Sequence, residues 1–194
     1  MARFKKYEFR PDATRNDILG KLLLTRKQRQ TFLRWLLFGV VCVVGLLIQD
    51  VVMSRVRIFG ATTDLVPCLI FCICVLQGAE SGCVFALIAS LTYHFSGSAP
   101  GVACIPLITC LGVTAAIFRQ AYLRQGIDAL LLCLGACLLL YELATFGIAL
   151  FLGQALLSRI SLPLVTAGLS LLVVPIAYPI LISIGKIGGE TWRE

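Results

Sequence analysis

Charge is scarce in this 194-residue chain: Asp, Glu, Lys and Arg make up 14% of it, against roughly 25% in a soluble domain. There is a single histidine, His94, and no two of the nine cysteines stand in a CxxC pair. Structural zinc sites need Cys and His clustered at ligand spacing, so this class is excluded. No HExxH, Gly-rich phosphate loop, paired-carboxylate motif or nucleophile–base set is present, which disfavours an enzyme and gives no cofactor to expect. Long polar loops are also missing, so no separate soluble catalytic domain fits between the apolar segments.

What the chain has in quantity is apolar residues, 59% of the total, with mean hydropathy +0.93. They fall in long blocks that a water-soluble core of this size does not absorb. A bilayer does, because a spanning helix needs roughly 20 mainly apolar residues. Backbone groups in lipid must bond within their own segment, so the blocks are read as helices. Alternating ten-residue segments of a barrel are absent. The expected fold is an all-α integral membrane protein, a compact bundle of about six transmembrane helices over 32–194, behind a basic cytoplasmic segment, 1–31.

The blocks run from about Phe32 to Met53, within Phe59 to Gly78, from Ser81 to Phe95, Gly101 to Phe118, Ile127 to Leu152, and Pro163 to Gly185. The third is short. Its 15 residues extend about 22 Å as a helix, less than a hydrocarbon core of about 30 Å, so residues 80–95 either span or re-enter. Charge separates the two. Ten of the 17 basic residues lie in the first 34. With six spans, fourteen basic residues fall on the inner side and three, Arg55, Arg57 and Arg159, on the outer. A re-entrant third block gives eleven against six. The positive-inside rule therefore favours six spans with both termini cytoplasmic. The basic segment also suits anionic lipid headgroups, and its stretch Asp17 to Leu24 is partly amphipathic. It lacks the interleaved aromatics of a base-stacking surface, so nucleic acid is not an expected partner. No signal-peptide cleavage site follows the first apolar run, so that run is expected to remain as an anchor.

Nine cysteines inside apolar runs read as small apolar side chains, without metal or disulfide. Ionisable residues within spans are costly and draw notice. Glu142 lies in the fifth block beside Tyr141; a buried hydrogen-bonded contact is expected there rather than proton coupling. Asp50 and Asp64 lie at the outer ends of the first and second blocks, where exposed or locally paired carboxylates are expected. Gly78, Gly82, Ala86 and Ser90 repeat every four residues, a stripe that lets helix backbones approach closely. Ser96 to Gly101 is a tight turn by its Gly and Pro content. Pro106, Pro175 and Pro179 are expected to interrupt or kink their helices.

From Asp64 to Arg124 the chain resembles the MreD family, the rod shape-determining membrane proteins of bacteria. The resemblance lies in the Asp-Leu start of the second block (Asp64-Leu65-Val66-Pro67) and the glycine-spaced turn Gly78-Ala79-Glu80-Ser81-Gly82. It continues in the Ser-Gly turn with its second glycine, Gly97 and Gly101, and in an Arg-bearing loop, Arg119 to Arg124. Where members often carry an acidic residue before the Ser-Gly turn, this chain has Tyr93-His94. The resemblance implies a non-enzymatic scaffold of the cell-elongation machinery in the bacterial inner membrane. Its implied partners are an MreC-like bitopic protein and other elongasome components, which direct lateral peptidoglycan synthesis. Asp64, Gly78, Gly82, Ala86, Gly97 and Gly101 become candidate helix or partner contacts, with Glu142 the candidate buried polar residue. Folds of this family are similar to the substrate-binding S-components of energy-coupling-factor vitamin transporters, the alternative function. That alternative would place an Ala-xxx-Ala-type contact in the first helix, where this chain has Gly39 and Gly45. A third possibility is a small transporter using Glu142 to carry protons.

Overall fold

The structure, a computed structural model, describes residues 26–56, 60–122 and 127–186. The described residues form seven α-helices: α1 (Arg26–Ile48), α2 (Leu65–Gln77), α3 (Ala79–Phe95), α4 (Cys104–Tyr122), α5 (Ile127–Phe151), α6 (Ser161–Leu171) and α7 (Val174–Gly185). The amphipathic stretch Asp17 to Leu24 lies outside the described residues, as do Arg57, Arg124 and Arg193.

Helix α2 is the axis of the molecule. It packs against each of the other six helices, and twelve of its thirteen residues are buried. Around it the others form a closed ring: α1 meets α3, α3 meets α4, α4 meets α5, α5 meets α6, and α7 returns to α1. The composition explains the placement. The sequence LVPCLIFCICVLQ is apolar all round, and such a helix is stable only where every face is covered by protein or lipid. Phe71 and Ile70 are fully enclosed.

The ring helices are apolar on both faces. Phe32, Leu36, Val40, Val43 and Leu47 of α1 point outward and are exposed, as are Val84, Leu87 and Ile88 of α3, Leu132 and Leu140 of α5, and Ile176 and Ile180 of α7. Two segments, Gln28–Met53 and Asp128–Phe151, are long and apolar enough to cross a membrane, and the bent α6–α7 pair makes a third if taken as one span.

Several boundaries differ from the sequence expectation. Helix α1 reaches back through Arg26–Thr31, because Arg, Lys and Gln are good helix formers and a helix continues past the end of an apolar run. The shortest helix among the first five is α2, at 13 residues or about 20 Å, whereas the third block forms 17 residues of helix. Arg119 belongs to the last turn of α4 rather than to a loop. Pro106 causes no interruption. It sits in the first turn of α4, where its missing N–H would have no intrahelical partner in any case. Pro175 does break its block. Its ring opposes the carbonyl four residues earlier, that of Leu171, where α6 ends. Helix α7 then departs at 47°, and Pro179 stays within it.

Candidate functional site

Helix α2 begins inside the protein, and its first N–H groups need partners there. Two side chains supply them. The Val66 N–H donates to Gln49 Oε1 at 2.8 Å, and the Asp64 N–H donates to Ser170 Oγ at 2.9 Å. Gln49 reaches this position because α1 ends in a five-residue π-turn, Gln49–Met53, which redirects a polar residue inward. Its Nε2 then donates to the Tyr93 hydroxyl of α3 at 3.2 Å. A buried amide on α1 thus ties the start of α2 to the end of α3.

Asp64 takes the N-cap position of α2, yet its side chain does not cap the helix. Its carboxyl instead meets that of Glu142 on α5 within hydrogen-bonding reach. Glu142 is 9% exposed, and Asp64 is half-buried. Two carboxyl groups brought together away from bulk water repel each other when both are ionised. The positive end of the α2 dipole offsets part of that negative charge. Glu142 Oε1 and the Tyr141 hydroxyl have no other hydrogen-bond partner among the described residues. Tyr141 is fully buried, with its ring held edge-on against Phe71 at 6.3 Å. Gln49, Tyr93 and Ser170, from separated stretches of sequence, therefore meet at the start of α2, and Glu142 of α5 reaches Asp64 there.

Asp64 is the correction here. The sequence places it at the outer interface as an exposed or locally paired carboxylate, but it faces a carboxyl 78 residues away in the chain. The short length of α2 explains this, since a central helix that starts late carries its N-cap inward. Asp50 does stay exposed; it accepts from the Ser98 hydroxyl across to the Ser-Gly turn. In that turn Gly97 and Gly101 have φ of 81° and 153°, a backbone region that side chains disfavour.

The small-residue stripe faces inward. Gly78 turns the chain between α2 and α3 with φ 87°. A Cβ on Gly82 would lie 3.0 Å from the Cys74 backbone, and Cys74 Sγ donates to the Gly82 carbonyl at 3.4 Å. Gly112 of α4 comes against the same Cys74, whose sulfur would be 3.1 Å from an added Cβ. Ala86 is fully enclosed. These residues join α3 to α2 and α4 and present no outward face. Gly45 of α1 lies under Leu69, while Gly39 has open space around it.

His94 is half-buried and its Nδ1 lacks a partner; the ring tilts against Phe95 at 5.9 Å. Among the described residues no group of three or more His, Cys, Asp or Glu is arranged to hold a metal ion. Comparison of the chain with protein-family models, curated proteins and solved structures gives no match.

Sequence reasoning singled out Asp64 and Glu142 separately and missed Gln49, Tyr93 and Ser170. The available signal was polarity inside apolar blocks. Gln49 closes the long run of α1, and Ser170 interrupts a run of leucines.

Proposed function

We propose that the protein is a multi-pass component of the bacterial inner membrane, with six spans and both termini cytoplasmic. In this proposal it serves as a non-enzymatic scaffold of the cell-elongation machinery, of the MreD kind. The carrying observation is the direction of its side chains. Large apolar residues cover the outside of the ring, where only lipid or another apolar surface can cover them. The polar groups turn inward and brace α2. Such a body offers rigid helix faces and short turns to a membrane partner. The motif run from Asp64 to Gly101 supports the family assignment.

The partner proposed is a bitopic, MreC-like protein with one span and a periplasmic domain. Affinity purification from native membranes in mild detergent tests this. Co-recovery of one single-span protein is the expected result. Recovery alone, or with an ATPase module and a bound vitamin, would overturn it in favour of the S-component alternative. One observation favours that alternative: the convergent polar groups at the start of α2, the kind of group that orients a small ligand.

A further inference from the structure

The scaffold proposal makes no use of the end of the bundle where α2 and α3 join. We propose that a phosphate group binds there, held by Arg34 of α1, Arg119 of α4, the Gln77 amide and the start of α3. Seven buried side-chain polar atoms lack a hydrogen-bond partner among the described residues, and four of them belong to these three side chains: Arg34 Nε, Arg119 Nη1 and both amide atoms of Gln77. Gln77 is 9% exposed. Such atoms are costly and rare in a folded chain, and here they gather at one end of one helix. Three of the four are N–H donors, which ask for an acceptor.

Contacts along α2 bring the groups to one level. Gly45 of α1 lies under Leu69. Arg34 stands eleven residues before Gly45, three turns back on the same face of α1. Phe38, one turn after Arg34 on that face, is buried with its ring centroid 6.3 Å from that of Phe85. Gly112 of α4 lies against Cys74, and Arg119 follows it by seven residues, two turns on along the same face. At about 1.5 Å per residue, both arginines stand about one turn past Gln77, where α2 has ended. Gln77 itself follows Cys74 by one turn, on the side of α2 that meets Gly82 and Gly112. Its carbonyl accepts from the Ser81 hydroxyl at 2.7 Å, which ties it to the start of α3. That helix begins at Ala79 with no side-chain cap. The Gly82 N–H bonds to the Gly78 carbonyl, so the N–H groups of residues 79–81 have no acceptor within the helix.

Charge and shape select the ligand class. Guanidinium forks match the oxygens of a phosphate, and an uncapped helix start adds N–H donors and a positive dipole end. The carboxylates nearest in sequence, Glu80 and Asp128, are exposed and leave the arginine charge uncompensated. A lipid headgroup and inorganic phosphate share this chemistry, and the experiment separates them.

The purified full chain in detergent is unfolded thermally in sodium phosphate and in sodium chloride at equal ionic strength. Parallel samples in chloride receive phosphatidylglycerol, or diacylglycerol with the same acyl chains and no phosphate. The expected result is a saturable rise of several degrees with phosphate over chloride, with phosphatidylglycerol over diacylglycerol, or with both. A rise that includes the lipid identifies a headgroup as the ligand; a rise with inorganic phosphate alone identifies the free anion. Arg34→Gln and Arg119→Gln should each need roughly tenfold more ligand for the same rise. Gln77→Leu keeps much of the side-chain shape and removes both unpartnered amide atoms. It should fold at least as stably in chloride and still gain less from the ligand, which keeps the test valid if an arginine variant fails to fold. Equal midpoints in all four conditions would leave the arginines as counter-charges to the negative end of α2 and overturn the site. An equal rise in the wild type and in any of the three variants would mean general surface attraction and also overturn it.

Discussion

At the level of single residues, the fold depends on a few polar atoms that substitute for missing backbone partners. Gln49 does this twice, accepting from the Val66 N–H and donating to Tyr93. Gln49→Leu removes both contacts and strands a buried N–H, so a loss of about 1–3 kcal/mol is expected. Denaturant titration in detergent reads it. Glycines separate into two kinds. At Gly82 an added methyl would lie 3.0 Å from the Cys74 backbone, and backbone cannot give way as a flexible side chain can. Gly82→Ala should cost about 1–3 kcal/mol through overpacking. At Gly39 nothing lies within 4 Å, so Gly39→Ala should stabilise α1 by about 0.5–1 kcal/mol. A similar loss at both glycines would show that the α2–α3 approach is not the tight contact. The stripe containing Gly82 was visible in sequence from its four-residue spacing. Its destination was not, because spacing marks a face without saying whether the chain itself or another molecule covers it.

At the level of helices, apolar blocks foretold the order of segments, but the sixth block forms two helices, α6 and α7, where one was expected. The fifth block, Ile127 to Leu152, differs from α5 by one residue. Hydropathy alone cannot tell where α2 starts, because Thr62 and Thr63 are compatible with helix or extended chain. Tertiary anchoring of the Asp64 N–H by Ser170 decides it. The prolines show the same dependence on position. Pro106 lies where its lost N–H has no partner, and Pro175 lies where its ring ends α6. Pro106→Ala should therefore change stability by less than about 0.5 kcal/mol. Pro175→Ala should restore a bond to the Leu171 carbonyl and open the bend between α6 and α7. Spin labels at the exposed positions Leu164 and Ile180 report this as a longer distance in pulsed resonance measurements. An unchanged distance would mean that packing against α2, and not the proline, sets the 47° angle.

At the level of the whole molecule, the all-helical architecture was legible because long apolar blocks without two-residue alternation read as helices. The buried site was half legible. Ionisable residues in apolar blocks attract attention one at a time, but their pairing depends on how deep each helix is set. For the proposed topology, reporter fusions should read cytoplasmic after Lys186 and periplasmic near Ser158. A periplasmic reading at the C-terminal end would remove the six-span arrangement and revive a re-entrant third block.

Between α2 and α3 there is a single residue, Gly78, with Gln77 and Ala79 already helical on either side. On the membrane proposal this makes the pair a hairpin that must enter the bilayer together. Once the ring has closed, α2 touches protein on every side, and lipid has no access to it. Its apolar character on all faces is therefore required earlier, while the hairpin waits among lipids for its neighbours to arrive. On that proposal, one of the most hydrophobic helices in the chain is one that the finished protein never shows to the membrane.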